Sequence, residues 1–461
     1  MKRLLSLPWK PNVPFPPEKW PFFYGWVIVV AGMLGTVLSI PGQTMGVSAF
    51  TEELMFNLKL TRGELSAAYF TGTCLSGLLL PWVGQMTDRH GCRKMMVVSG
   101  ALLGFVLLLH SQLETMIGIA WFLLDYEYDK AISLVVISLA FFSIRFLGQG
   151  ALTIVSRTMV GSWFHLKRGF VYALGGMIVT FGFSVAPKYF TDLIADYGWG
   201  GAYEKLGWTV LIGSVLLGWV FYRERPEDSG LYMDGVTREE ERQLREKNKH
   251  SDLHIEKEMS REEALHTTGF WAFNLALCFF ALYSTAYTFH MISIGEELGL
   301  PDGRIQTLFI PIGIVSVAAT LISGWLADRT RLKWSLLAML LGLILGNLGI
   351  FAVKIHSLLG QAIIVLGLGV AGGIFGMLLG VVWARFFGRK HLGAISGFNM
   401  SCIVIASAIG PWLFSFFKEQ LASYNGAYIL SLVLLILLSV LSFYADNPQR
   451  KLLKLSSGNH K

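Results

Sequence analysis

The chain has 461 residues, 53% of them hydrophobic and only 15% charged, with 50 glycines, a net charge of +7 and a mean hydropathy of +0.54. Soluble domains carry roughly 25% charged residues, so a chain this apolar lacks the polar surface to stay dissolved and belongs in a bilayer. A basic excess is what cytoplasmic membrane loops produce, so no nucleic-acid partner is expected, and the scattered Cys74, Cys92, Cys278 and Cys402 show neither disulfide nor metal spacing.

The amino terminus carries Lys2, Arg3 and Lys10 and is proline-rich through Pro21. It lacks the early apolar core and small-residue site of a cleavable signal, so the first apolar run is expected to be retained. Runs of about 20 apolar residues cross the hydrocarbon core. Twelve are expected, over 22–48, 64–86, 94–113, 133–162, 168–192 and 202–222, then 269–295, 303–327, 333–354, 358–386, 391–416 and 424–445. The predicted organisation is a tail over 1–21, a six-helix bundle over 22–222, a charged linker over 223–267, a second six-helix bundle over 268–446 and a tail over 447–461. The linker is dense in both signs of charge and is expected to lie in water, with a short helix over 237–249 in which Glu241 and Arg245 form an i,i+4 pair. With both termini cytoplasmic, most of the 38 lysines and arginines fall on the inner side, which the positive-inside rule favours. The apolar stretch from Thr115 to Leu124 is too short to cross and is followed by Asp125, Glu127 and Asp129; it reads as an outer loop resting at the membrane interface, with a gating lid as the alternative.

After the second run stands Gly84-Gln-Met-Thr-Asp88-Arg89-His-Gly91-Cys-Arg93-Lys94, and after the eighth a second copy, Gly324-Trp-Leu-Ala-Asp328-Arg329-Thr-Arg331. Such self-similarity implies two related halves. Gly84 lets a neighbouring helix approach its backbone, and Asp88, at a helix end, suits the positive amino end of another helix or an arginine. Arg89, Arg93 and Lys94 are expected to face water and lipid headgroups. In the second copy Thr330 and Arg331 replace His90 and Gly91.

Twelve spans divided six and six, a charged central loop and paired Gly-x-x-x-Asp-Arg loops resemble the major facilitator superfamily over essentially the whole chain. The resemblance implies an all-α membrane fold of two pseudo-symmetric six-helix bundles with substrate held at mid-membrane. It also implies that Gly84, Asp88, Arg89, Gly91 and Arg93, with Gly324, Asp328 and Arg329, form a cytoplasmic latch, made when the carrier is open outward and broken when it opens inward. A second motif, Arg145-Phe-Leu-Gly148-Gln149-Gly150, is similar to the pattern the family carries on its fourth helix.

Arg145 lies near the middle of its span, where an unpaired cation costs roughly 2.5 kcal/mol or more, so it must face a cavity or a partner. No Asp or Glu lies well inside any span, which points to an anionic ligand; neighbouring helix carbonyls and polar groups are the alternative partners. Gln149 and Ser156 are expected on the same face. Thr36, Ser39 and Gln43 make a polar stripe on the first span, and Tyr69, Thr73 and Ser76 one on the second. Tyr283, Tyr287 and His290 share a face of the seventh, Asn399 is the polar interior residue of the eleventh, and the tenth carries closely spaced glycines from Gly369 to Gly380 for helix packing. The expected substrate contacts are therefore Arg145, Gln149, Gln43, Tyr69, Thr73, Tyr283, Tyr287, His290 and Asn399.

Phe23-Tyr-Gly-Trp-Val27, Arg225-Pro-Glu-Asp-Ser-Gly-Leu231 and Ala286-Tyr-Thr-Phe-His290 look like bacterial members related to the monocarboxylate and oxalate/formate porters. The eighth and eleventh spans lack the mid-helix basic residues of the oxalate type, so one central arginine suits a monocarboxylate. The expected function is alternating-access secondary transport of a small organic anion at the plasma membrane, by a monomer, with proton coupling open. A carrier of a neutral or drug-like solute and a non-transporting sensor are the alternatives. No enzymatic constellation, metal site or cofactor is expected.

Overall fold

In a computed structural model the regular structure of the described residues is helical; these residues are 9–123, 130–237, 239, 240, 243, 255–301, 304–450, 452 and 453. Among the described residues nine helices are long and apolar enough to cross a membrane. Gly25–Leu38, Leu113–Leu123 and Arg168–Phe183 are shorter apolar helices. The expected second span is the 29-residue helix Arg62–His90, opened by a capping box in which Thr61 and Glu64 satisfy each other's amides.

Several expected spans are interrupted. The first ends as a regular helix at Leu38; a turn over Ile40–Gly42 contains Pro41, which has no amide to donate, and Thr44–Ser48 follows as a separate short helix. The fourth begins as Lys130–Ile144, widens to a π-helical stretch over Arg145–Leu152 and resumes as Thr153–Trp163. The fifth and sixth runs are joined within Arg168–Leu216, where Gly198 at φ 70° supplies the break.

Two expectations need correction. Of the stretch 115–124, the described residues 115–123 are no loop: Leu113–Leu123 is helical and buries Leu113 and Ile117, while Phe122 and Leu123 stand exposed; Leu124 and the three acids that follow lie outside the described residues. The linker does not lie wholly in water. Arg223 is 1% exposed, because its guanidinium is taken up by the carbonyls of Phe15, Val220 and Tyr222. Glu241, Arg245 and most of the helix expected over 237–249 lie outside the described residues.

Contacts divide the chain into two compact units. The first comprises Met1–Trp163, Ile178–Gly235 and Ser396–Ser401, and the second Phe164–Met177, Val236–Ile395 and Cys402–Lys461. Each thus includes a short segment from the opposite half of the sequence. Small residues bring helices together within each unit: Gly104 seats Leu211 in the first, and Gly367 fits against Gly342 and Gly346 in the second.

Candidate functional site

The first unit holds a polar cluster around Arg145. Its side chain is 1% exposed and donates to the Thr44 hydroxyl at 3.1 Å and to the Gly42 carbonyl at 3.4 Å. The Tyr69 ring lies 5.2 Å from the guanidinium carbon, and the Tyr69 hydroxyl donates to the same Thr44 oxygen at 3.0 Å. None of these neighbours carries a negative charge. Arg145 Nε, Gln149 Oε1 and Thr73 Oγ1 are buried without hydrogen-bond partners among the described residues.

The glycines of the arginine motif create this geometry. A Cβ at Gly148 would stand 2.7 Å from the Gly42 Cα, so the turn after the first helix presses directly on the π-helical stretch and delivers Thr44 to Arg145. Gln43 points elsewhere, donating to Ser39 and Thr153 at 3.0 and 3.3 Å.

Other expected stripes are used up locally. Thr36, Ser39 and Ser76 donate to carbonyls of their own turns. Ser156 pairs with the Tyr222 hydroxyl at 3.0 Å instead of sharing the Arg145 face, because the wider π turn rotates everything beyond Leu152.

The second unit holds Tyr283, Tyr287 and His290. Both tyrosines are buried, with hydroxyls lacking partners among the described residues. His290 Nε2 donates to the Pro411 carbonyl at 2.9 Å and lies 3.3 Å from Ser415 Oγ. Tyr428, absent from the sequence expectation, packs beside Tyr283 with ring centroids 6.4 Å apart, and its hydroxyl is likewise unpartnered. Asn399 is buried and falls in the first unit.

The repeated loops share one piece of geometry. In the first unit a Cβ at Gly397 would lie 2.8 Å from the Leu80 carbonyl oxygen and 3.1 Å from the Gly84 Cα. In the second, a Cβ at Gly324 would lie 2.5 Å from the Gly169 carbonyl oxygen. Both motif glycines therefore meet a glycine of the opposite sequence half, backbone to backbone. Asp328 adds charge to the second contact: its two carboxylate oxygens accept the Gly169 and Phe170 amides at 2.8 and 3.0 Å, at the start of the helix that begins with Arg168. Arg385 donates to the carbonyls of Ala327 and Thr330 and fixes that turn.

The basic residues of the motifs divide. Arg89 and Arg329 are exposed, the latter stacked 4.2 Å from the Trp325 ring centroid. Arg93, expected to face water, is 2% exposed; it gathers the carbonyls of Lys10, Val13 and Trp219, which cover it with the amino-terminal segment. Gly91 adopts φ 87° above the Glu224 carboxylate, which accepts the Cys92 and Arg93 amides at 2.6 and 3.0 Å. Burial pushes the Glu224 carboxyl up from its ordinary range, against the lowering effect of those amides.

The family model for the Major Facilitator Superfamily matches residues 32–381 and again 272–460. The chain belongs to the major facilitator superfamily. As a member it is a multi-pass membrane protein of the transporter class, and membership points to transport rather than catalysis. It is similar to monocarboxylate transporter 10 of Danio rerio, at 23% identity over 88% of this chain and 75% of that protein. Among solved structures it resembles the proton:xylose symporter XylE bound to 6-bromo-6-deoxy-D-glucose, with TM-score 0.65 and 15% identity over 92% of this chain and 96% of that one. It also resembles a bacterial homologue of the iron transporter ferroportin in an outward-facing state, with TM-score 0.60 and 15% identity over 90% and 98%. These two likenesses establish the all-α facilitator fold.

Of the expected contacts, Arg145 and Tyr69 are brought together through Thr44 in this superfamily member, while in the other unit Tyr283 and Tyr287 lie on the helix Thr268–Phe289 and His290 at its end, bonded to Pro411. Thr44 was legible only as one polar residue among several after Pro41; nothing in helical periodicity assigns it to Arg145.

Proposed function

We propose that the chain carries a small organic anion of the monocarboxylate class by alternating access, with Arg145 as the cation that meets the carboxylate. The observation behind this reading is the buried Arg145 guanidinium, surrounded by a carbonyl, a hydroxyl and a ring, with Nε unused among the described residues. A buried cation without a counter-charge is costly, and a carboxylate accepting from its fork would relieve that cost with charge-assisted hydrogen bonds. The similarity to a protein named for monocarboxylate transport supports the same ligand class. Gln149 and Thr73 supply unused polar oxygens in the first unit, and Tyr283 and Tyr287 unused hydroxyls in the second.

The repeated loops act in this reading as the latch, with Asp328 holding the start of the helix at Arg168 and the glycine contacts setting how closely the backbones approach. Protons remain the candidate co-ion.

The test is uptake of labelled carboxylates, sugars and amino acids into proteoliposomes, with and without an imposed pH gradient. Saturable carboxylate uptake abolished by Arg145→Gln is expected. Saturable uptake of neutral sugars alone, unchanged in Arg145→Gln, would overturn the anion assignment. Dependence of the initial rate on the gradient decides proton coupling.

A further inference from the structure

In the second unit the helix Leu332–Val353 begins beside the end of the helix Asn425–Tyr444, and both are long and apolar enough to cross a membrane. The two ends meet through the rings of Trp334 and Phe443, whose centroids are 6.5 Å apart; both rings, and that of Tyr444, are exposed. Exposed aromatic rings at the end of a membrane-spanning helix sit at the level of the lipid headgroups. Lys333 is held at that level, its ammonium 5.3 Å from the Trp334 centroid and 5.5 Å from that of Phe443. A cation over a ring face leaves its N–H groups unused, and among the described residues this ammonium has neither a hydrogen bond nor a carboxylate partner. The acid that follows Tyr444 does not supply one. Asp446 accepts the Asn447 amide with Oδ1 at 3.0 Å, and its Oδ2 lies 3.6 Å from Arg450 and 3.8 Å from Arg331. The Arg331 contact is longer than a hydrogen bond, and its guanidinium is exposed two residues before Lys333. The pairing of cation and ring recurs in the preceding turn, where Arg329 lies over the exposed Trp325 ring.

We propose that Lys333 and Arg331, with the Trp334 and Phe443 rings, bind the headgroup of an anionic phospholipid in the leaflet that meets this end of the two helices. The ammonium and the guanidinium donate to the unesterified phosphate oxygens, forming charge-assisted hydrogen bonds that the protein's own groups do not offer them. The rings lie against the glycerol and the first methylenes of the acyl chains, where an amphipathic surface is at home. Charge sets the selectivity. A phosphatidylcholine carries the same phosphate but brings a trimethylammonium group toward two cations, whereas phosphatidylglycerol adds no positive charge. Each cation close to an anionic membrane surface strengthens the attraction about fivefold. The contact is independent of the solute carried.

The experiment places the purified full-length protein in phosphatidylcholine bilayers containing rising fractions of phosphatidylglycerol with brominated acyl chains, which quench the fluorescence of a tryptophan they touch. The Trp334 signal is taken as the difference between the parent and Trp334→Phe. Brominated phosphatidylglycerol is expected to quench it at fractions where brominated phosphatidylcholine does not. Lys333→Gln should move half-quenching to an about fivefold higher phosphatidylglycerol fraction, and Arg331→Gln should do the same, while Lys333→Arg, which keeps the charge, stays near the parent. Equal quenching by the two lipids would reduce the site to an uncharged aromatic belt and overturn the proposal, as would an unchanged midpoint in Lys333→Gln. Loss of quenching on adding inorganic phosphate at constant ionic strength would mean that the site takes the free ion, and would overturn it too.

Discussion

Replacing Asp328 by Asn tests the latch at its charged contact. In the structure the two Asp328 oxygens accept the Gly169 and Phe170 amides at 2.8 and 3.0 Å. These amides begin a helix, so no carbonyl of an earlier turn is available to them. A hydrogen bond to a charged group contributes about 1.5–3 kcal/mol and a neutral one about 0.5–1.5. Asn keeps one acceptor oxygen, at neutral strength, and turns a donor toward the second amide. The loss would approach 4 kcal/mol in a dry site; Asp328 is half-buried, and we take about 2 kcal/mol, roughly a thirtyfold change in an equilibrium. Hydrogen–deuterium exchange of the peptide spanning residues 166–177 reads this opening directly. Exchange at Gly169 and Phe170 should speed up roughly thirtyfold in Asp328→Asn, with the protein still inserted and its uptake slowed. Exchange and uptake both equal to the parent's would remove Asp328 from the latch.

Gly148→Ala forces a Cβ within 2.7 Å of the Gly42 Cα, an overpacking that costs about 1–3 kcal/mol and displaces Thr44 from Arg145; the concentration dependence of carboxylate uptake should shift to weaker apparent affinity, by about tenfold. Gly91→Ala imposes a side chain on φ 87° and drives it into the Glu224 carboxylate, so a cost of about 1–3 kcal/mol should lower the thermal midpoint of the detergent-solubilised protein by several degrees. Glu224 gives a pH signature. Its folded carboxyl titrates above its ordinary range, so its contribution is fully present below the unfolded pKa and is lost as pH rises through the folded value. The midpoint of the parent relative to Glu224→Gln should therefore rise between pH 7 and pH 5, and a difference independent of pH would contradict the burial argument.

Much of the frame was legible because it rests on long apolar runs and on a repeated motif. Arg145 stood out for the same reason: a cation in the middle of an apolar helix is costly wherever it points. Its surroundings were harder to read. Regular helical spacing predicts one polar face from Thr36 to Gln43, but Pro41 breaks it and brings Thr44 to the arginine. The π-helical stretch over Arg145–Leu152 likewise invalidates a face count carried on to Ser156. Arg93 departs from the rule that a basic residue in a short loop meets water: three carbonyls from two distant segments enclose it, a long-range arrangement that local composition does not encode. The glycines of the repeat were evident, but their partners Gly397 and Gly169 were not, since spacing along one helix says nothing about what meets it.

Among the described residues Glu224, Glu258 and Asp328 each accept two successive backbone amides, and on the proposed mechanism only one of these contacts has to break. Glu224 holds Cys92 and Arg93, and Glu258 holds Arg389 and Lys390. Both acids come from the linker, and each sits where a side chain at a positive-φ glycine, Gly91 or Gly388, would collide with it. Each fastens one end of the linker within a single unit, so it can persist through a cycle of rocking. Asp328 differs, because its amides belong to residues 164–177, a segment of the first sequence half that contacts place in the second unit. On the proposed mechanism the first-half bundle moves as one body, so this segment must leave Asp328 when the cavity opens inward. A transported carboxylate that shifts the population toward that state should increase exchange at Gly169 and Phe170 while leaving Cys92, Arg93, Arg389 and Lys390 as slow as before. Equal acceleration at all six amides would mean general loosening instead of a latch, and protection unchanged at Gly169 and Phe170 under turnover would mean that the Asp328 contact is a permanent fastening like the other two.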